Sequence, residues 1–129
     1  MHHLLEKEHQ QLIDSLDTLD KCVLKGSSAN QVVKHLDHFS ALAEEHFKNE
    51  EKIMEDYRYT DIIDHKKEHA SLLAQLNTLH RQLSKGQTPF GKGYMQLLRN
   101  WLETHLLGAD NKLEEFLYQI DAGRDKKNR

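Results

Sequence analysis

Residues 46–69 read HFKNEEKIMEDYRYTDIIDHKKEH and carry two polar pairs, His46 with Glu50 and His65 with His69. On an α-helix, residues four apart advance about 400°, so the members of each pair share a face and stand one turn apart. Both pairs also occupy positions where an apolar seam should run. A helix that points imidazoles and a carboxylate into its own core needs something there to bind them. A metal ion is the partner that suits these donors.

Working outward, the seam reads as helical on both sides. Upstream, residues 31–57 step by three and four through Val32, Leu36, Phe39, Ala43, His46, Glu50, Ile53 and Tyr57. Downstream, residues 62–84 continue through Ile62, His65, His69, Leu72, Leu76, Leu79 and Leu83, after a link at 58–61 without a strong turn residue. A first segment, 3–25, keeps the same step through Leu5, His9, Leu12, Leu16, Leu19 and Val23. It stops at Gly26-Ser27-Ser28-Ala29-Asn30, with Asn30 as candidate N-cap of the second helix. A glycine- and proline-bearing break at 85–91 precedes a fourth segment through Tyr94, Leu98, Trp101 and His105.

There the register slips. Unbroken heptads would bury Gly108, Lys112 and Glu115, whereas restarting at Ala109 or Asp110 buries Leu113, Phe116, Leu117 and Ile120. The slip predicts a stutter, kink or π-bulge beside Gly108. Four long segments with short links predict an all-α chain, an antiparallel up-down-up-down four-helix bundle over residues 1–121. Residues 122–129 read as a polar tail or linker.

Composition bounds what such a bundle does. Acids and bases are interspersed at a net charge of −3, so no basic face invites nucleic acid. The apolar runs are too short to span a bilayer, and no signal segment opens the chain. One cysteine, Cys22, excludes an intrachain disulfide framework and fits a reducing, cytoplasmic compartment.

In an up-down bundle, positions early in one helix lie level with positions late in the next. His9, His46, Glu50, His65, His69, His105 and Asp110 can then share one layer. Five imidazoles and two carboxylates are too many donors for one ion of ordinary coordination number. They suit two ions that favour nitrogen and oxygen, with iron the first candidate and manganese or zinc behind it. If both ions are six-coordinate and share two carboxylates and one oxygen, a single position stays open, where a small molecule such as dioxygen could bind. Glu51 sits about 140° around the helix from His46, so Glu50 is the better ligand. Asp110, five residues after His105, reaches the same face only if the helix holds a local π-turn.

The plainer readings also have a place. His2, His3, His35, His38 and His80 read as surface or satisfied core histidines. His35 and His80 share the ligand faces but lie about 16 Å along the axis from them. HKKEH fits an H-x-x-E-H zinc-peptidase pattern with Glu68 as base, which leaves His9, His46 and Asp110 unexplained. Glu6-x-x-His9 is half of a ferritin-like motif without its second half. Trp101, one turn before His105, reads most simply as core.

With EKEHQQL (6–12), HFKNEE (46–51), HKKEH (65–69) and WLETHLLGAD (101–110) in this order, the chain resembles the hemerythrin family, specifically the bacterial hemerythrins. The resemblance covers nearly the whole chain. It implies an oxo- or hydroxo-bridged pair of iron ions that binds dioxygen reversibly. His65, His69 and His105 would bind one iron, His9 and His46 the other, and Glu50 and Asp110 would bridge. Ile13, Leu98 and Trp101 become candidate walls of an oxygen pocket. The chain departs from the family in having only eight residues before His9, and in Arg58-Tyr59-Thr60 where relatives often place glycine and proline. The short arm suits a module cut from a longer protein. The function implied is oxygen carriage, storage or delivery without enzymatic turnover. The alternative is an oxygen- or redox-sensing domain with a fused or partner signalling domain. Peroxide or nitric oxide turnover ranks third, because no acid–base residue dedicated to it is visible.

Overall fold

The computed structural model describes residues 3–85 and 92–127, and every regular element among them is helical. Helices α1 (His3–Leu24), α2 (Ala29–Asp56) and α3 (Ile62–Ser84) are followed by α4 (Lys92–His105) and α5 (Asn111–Lys127). A π-helical turn, Leu106–Asp110, joins α4 to α5 into one rod, the fourth helix of an antiparallel four-helix bundle. α1 packs on α2, α2 on α3, and α1 on α4. Among the described residues no helix is long and apolar enough to cross a membrane. His2 and the break at 86–91 lie outside the described residues.

The ends of the helices have local causes. Gly26, at φ 70°, takes the left-handed conformation that closes α1, with Ser27 N–H donating back to the Cys22 carbonyl. Ser28, not Asn30, is the N-cap of α2. Its backbone is extended and its hydroxyl accepts from the Gln31 N–H, while Asn30 falls within the first turn. α2 ends in the same manner as α1, with Tyr59 N–H donating to the Met54 carbonyl, but the left-handed position is held by Arg58 at φ 54°. An L side chain is strained there, and the Arg58 side chain is exposed. Arg58→Gly is therefore expected to stabilise the chain by about 1 kcal/mol. Chemical denaturation measures it, and an unchanged or lower midpoint would contradict the strain.

The backbone stays helical to Lys127, through the first six residues of the segment 122–129 expected as a tail or linker. Most residues of 122–127 are ordinary helix formers, and none is a proline.

Two apolar clusters fill the bundle. The larger runs from Leu12, Leu16 and Leu19 across Leu36, Phe39 and Phe47 to Leu72, Leu76, Leu98 and Leu102. The smaller joins Leu5, Met54, Tyr59, Leu113 and Leu117. The seam drifts from the strict heptad expectation in long helices. Cys22, Met54, Met95 and Leu102 are buried, while Val23, Ile53, Tyr57, Tyr94 and Trp101 lie half-buried beside them. A straight helix turns 3.6 residues per turn, not 3.5, and so rotates about 20° per heptad away from a fixed stripe. After the π-turn Leu113 and Leu117 are buried, with Phe116 and Ile120 at the flank.

Candidate metal centre

Polar side chains form a layer in this core. His46, Glu50, His65, His69, His105 and Asp110 are each no more than 2% exposed, and His9 keeps 15% of its side chain in solvent. The first and third helices bring His9 and the His65/His69 pair, and α2 brings His46 and Glu50 one turn apart. The π-turn supplies the last component. Its extra residue per turn returns Asp110 to the face of His105, whose Nε2 lies 2.9 Å from Asp110 Oδ1.

The two carboxylates stand between two groups of imidazoles, and each divides its oxygens between them. Glu50 Oε1 lies 2.7 Å from His65 Nε2 and 2.9 Å from His69 Nε2. Asp110 Oδ1 lies 2.9 Å from both His65 Nε2 and His105 Nε2. On the other side, Glu50 Oε2 is 3.2 Å from His46 Nε2, and Asp110 Oδ2 is 3.0 Å from His9 Nε2. Two positions follow, one faced by three imidazoles and one by two, with both carboxylates common to them.

Several of these atoms are buried without a hydrogen bond of acceptable geometry: Nε2 of His9, His46 and His105, Oε2 of Glu50 and Oδ2 of Asp110. Each such group buried alone is costly. Five imidazole nitrogens converge on two shared carboxylates, and three of those nitrogens and one oxygen of each carboxylate are unmatched, a set that suits a pair of nitrogen- and oxygen-preferring cations.

Electrostatics in the metal-free chain tell the same story. Burial opposes charge on His9, His46 and His65, yet the closely placed carboxylates of Asp110 and Glu50 outweigh it and raise them to about 9, 10 and 9. Burial likewise opposes charge on Glu50 and Asp110, but the surrounding imidazoles hold both well below the usual carboxylate range. Protonated imidazoles thus supply positive charge that the two buried carboxylates require.

An outer ring of carboxylates orients the inner one. His46 Nδ1 is 2.9 Å from Glu8 Oε1, and Glu8 also accepts from Asn49 at 2.6 Å. His69 Nδ1 is 2.9 Å from Glu51 Oε2. Longer approaches join His105 Nδ1 to Glu68 at 3.5 Å and His9 Nδ1 to Glu114 at 3.9 Å. A carboxylate on Nδ1 turns Nε2 toward the centre. Sequence reasoning missed Glu8 and Glu114, considered Glu51 only as a rejected ligand, and considered Glu68 only as a peptidase base. The available signal was position: Glu8, Glu51 and Glu68 each adjoin a seam residue, and Glu114 follows Asp110 by one turn.

Aromatic rings close the layer on the side of the larger cluster. Phe47, another residue that the seam pattern passed over, stacks on His69 at 3.9 Å and 8°. Trp101 stacks on His105 at 4.8 Å and 14°, with Phe47 edge-on at 6.4 Å. Leu98 is buried in the same cluster, and Ile13 packs on it half-buried.

Comparison with known proteins bears on this site. Residues 1–117 match the family described as the hemerythrin HHE cation binding domain. The chain is 26% identical over 105 residues to bacteriohemerythrin from Methylococcus capsulatus, covering 81% of this chain and 79% of that protein. It is 29% identical over 103 residues to myohemerythrin-1 from Phascolopsis gouldii, covering 77% of this chain and 81% of that protein. A crystal structure of wild-type hemerythrin superposes with a TM-score of 0.79 at 25% identity, covering 84% of this chain and 82% of the other.

Proposed function

The chain belongs to the hemerythrin family, and on that premise we propose that its seven-residue cluster holds two iron ions and binds dioxygen reversibly. The observation that carries this reading is the division of Glu50 and Asp110: one oxygen of Glu50 meets His65 and His69, one of Asp110 meets His65 and His105, and the second oxygen of each turns to His46 and His9. In this reading Glu50 and Asp110 bridge, three imidazoles hold one ion and two hold the other. Ferrous ions held there would supply the one-electron chemistry that reversible dioxygen binding draws on.

The chain's own residues then do three things. The two-imidazole side has fewer protein donors, which leaves room there for a small ligand. Glu8 and Glu51 fix the orientation of His46 and His69 through Nδ1. Phe47 and Trp101 cover His69 and His105 and, with Ile13 and Leu98, keep bulk water and its protons away. Such a site favours holding and returning dioxygen over consuming it, so we assign a carrying, storing or delivering role.

Optical spectra test this. The anaerobically reduced protein is expected to be colourless, to gain iron charge-transfer bands on admitting oxygen, and to lose them on removing it. Rapid conversion to a stable oxidised spectrum would favour a sensor or redox role instead, and a protein colourless in every state would refute iron. The ligand assignment has its own check, because His105→Ala should bring iron content below two per chain. Two equivalents retained in that variant would remove His105 from the set.

A further inference from the structure

Beside the centre, between the start of α3 and the π-turn, lies a cavity of about 320 Å³ whose wall includes Asp61, Asp64, His65, Glu68, Gly108 and Lys112. Grooves elsewhere, along α1–α2 at Ser15 and along α3–α4 at Leu97, touch none of the seven central residues. In this cavity His65, 2% exposed, belongs both to the wall and to the centre. Three carboxylates face one ammonium.

Two features set this apart from a chance acidic patch. Asp61 holds the N-cap position of α3 without capping it, and its carboxylate instead meets Lys112 Nζ at 3.0 Å at the rim. Deeper in, His105 Nδ1 is buried with no hydrogen bond, its side chain 1% exposed, and faces Glu68 Oε1 at 3.5 Å. Glu68 has 45% of its side chain in solvent, so one carboxylate spans water and a residue of the centre.

We propose that this cavity is the portal by which ferrous iron reaches the centre, with Asp61 and Asp64 gathering the cation and Glu68 passing it to His65. The inference rests on the di-iron reading above. Oxygen donors suit a hydrated divalent cation, and exchange of its waters for successive carboxylates lets the ion shed its shell stepwise before meeting nitrogen. A cleft lined by one sign of charge raises the local cation concentration and the on-rate by about 10-fold or more. Lys112 moderates that field.

The test mixes metal-free chain with ferrous iron anaerobically and follows uptake by fluorescence of Trp101, which stacks on His105. Asp61→Asn/Asp64→Asn is expected to load to the same final iron but about tenfold more slowly. Asp14→Asn/Glu44→Gln, a charge-matched control at exposed positions of α1 and α2, should load at the wild-type rate. Wild-type uptake should slow as ionic strength rises, and Lys112→Ala should speed it. Gly108→Leu should slow uptake without touching a charge, since a Cβ at Gly108 meets nothing within 4 Å and a side chain there grows into the cavity. An unchanged rate in the double variant overturns the portal while leaving the centre intact. Glu68→Gln alone should also slow uptake, and reduced final iron at an unchanged rate in that variant makes Glu68 a support for His105 only and overturns its part in the portal. A wild-type chain that binds no iron refutes the di-iron reading and the portal together.

Discussion

Glu50→Ala is expected to abolish binding of paired iron and to destabilise the metal-free chain by about 3–5 kcal/mol. Glu50 is fully buried, with its two oxygens between 2.7 and 3.8 Å from the Nε2 atoms of His65, His69, His46 and His9. Removing it takes an oxygen donor from both positions at once. It also leaves His46 and His65, raised to about 10 and 9 partly by this carboxylate, without a principal counter-charge in a dry layer. Iron analysis and denaturant unfolding measure the two effects separately. Two irons per chain with an unaltered spectrum would show that Glu50 is no bridge. A metal-free variant as stable as the wild type would show that the buried imidazoles had not depended on it.

Removing the metal from the wild-type chain should lower its melting temperature distinctly, because the layer between the two apolar clusters then has only its own charges for compensation. The deficit should also depend on pH. The folded values of His9, His46 and His65 are raised above the ordinary 6.5, to about 9, 10 and 9. Their contribution to stability is therefore fully present below pH about 6.5 and lost as pH rises through 9–10. Glu50 and Asp110 are depressed, so their contribution is present above the unfolded carboxylate range and lost on acidification. The metal-free chain should be most stable at mildly acidic pH and melt progressively lower from pH 7 to 10. With metal bound, the imidazoles are held as neutral ligands and that alkaline loss should be absent. Equal melting temperatures with and without metal, or a metal-free chain indifferent to pH over that range, would contradict this account.

The π-turn shows how far local pattern reaches. Heptads that would bury Lys112 and Glu115 are physically unacceptable, and a residue five after His105 cannot share its face on a straight α-helix. Both misfits lie in 105–115, and both are resolved by the one turn at Leu106–Asp110. Residue spacing already implies that such a turn returns Asp110 to the face of His105, whereas its extent is decided by the tertiary structure. Asn30 and Ser28 make the opposite case. Both are good caps by residue type, and only the backbone geometry at Ser28 decides between them.

By itself the sequence determined the four helical segments and the seven polar residues that interrupt their seams. Periodicity and residue type are properties of single helices and need no knowledge of neighbours. Only the tertiary structure decided which carboxylate oxygen faces which imidazole, that Phe47 stacks on His69, and that glutamates from other helices stand behind His46, His69 and His105. Those relations depend on the rotation and height of one helix against another. A shift of a few ångströms or a few tens of degrees changes them while leaving every helix's own pattern intact.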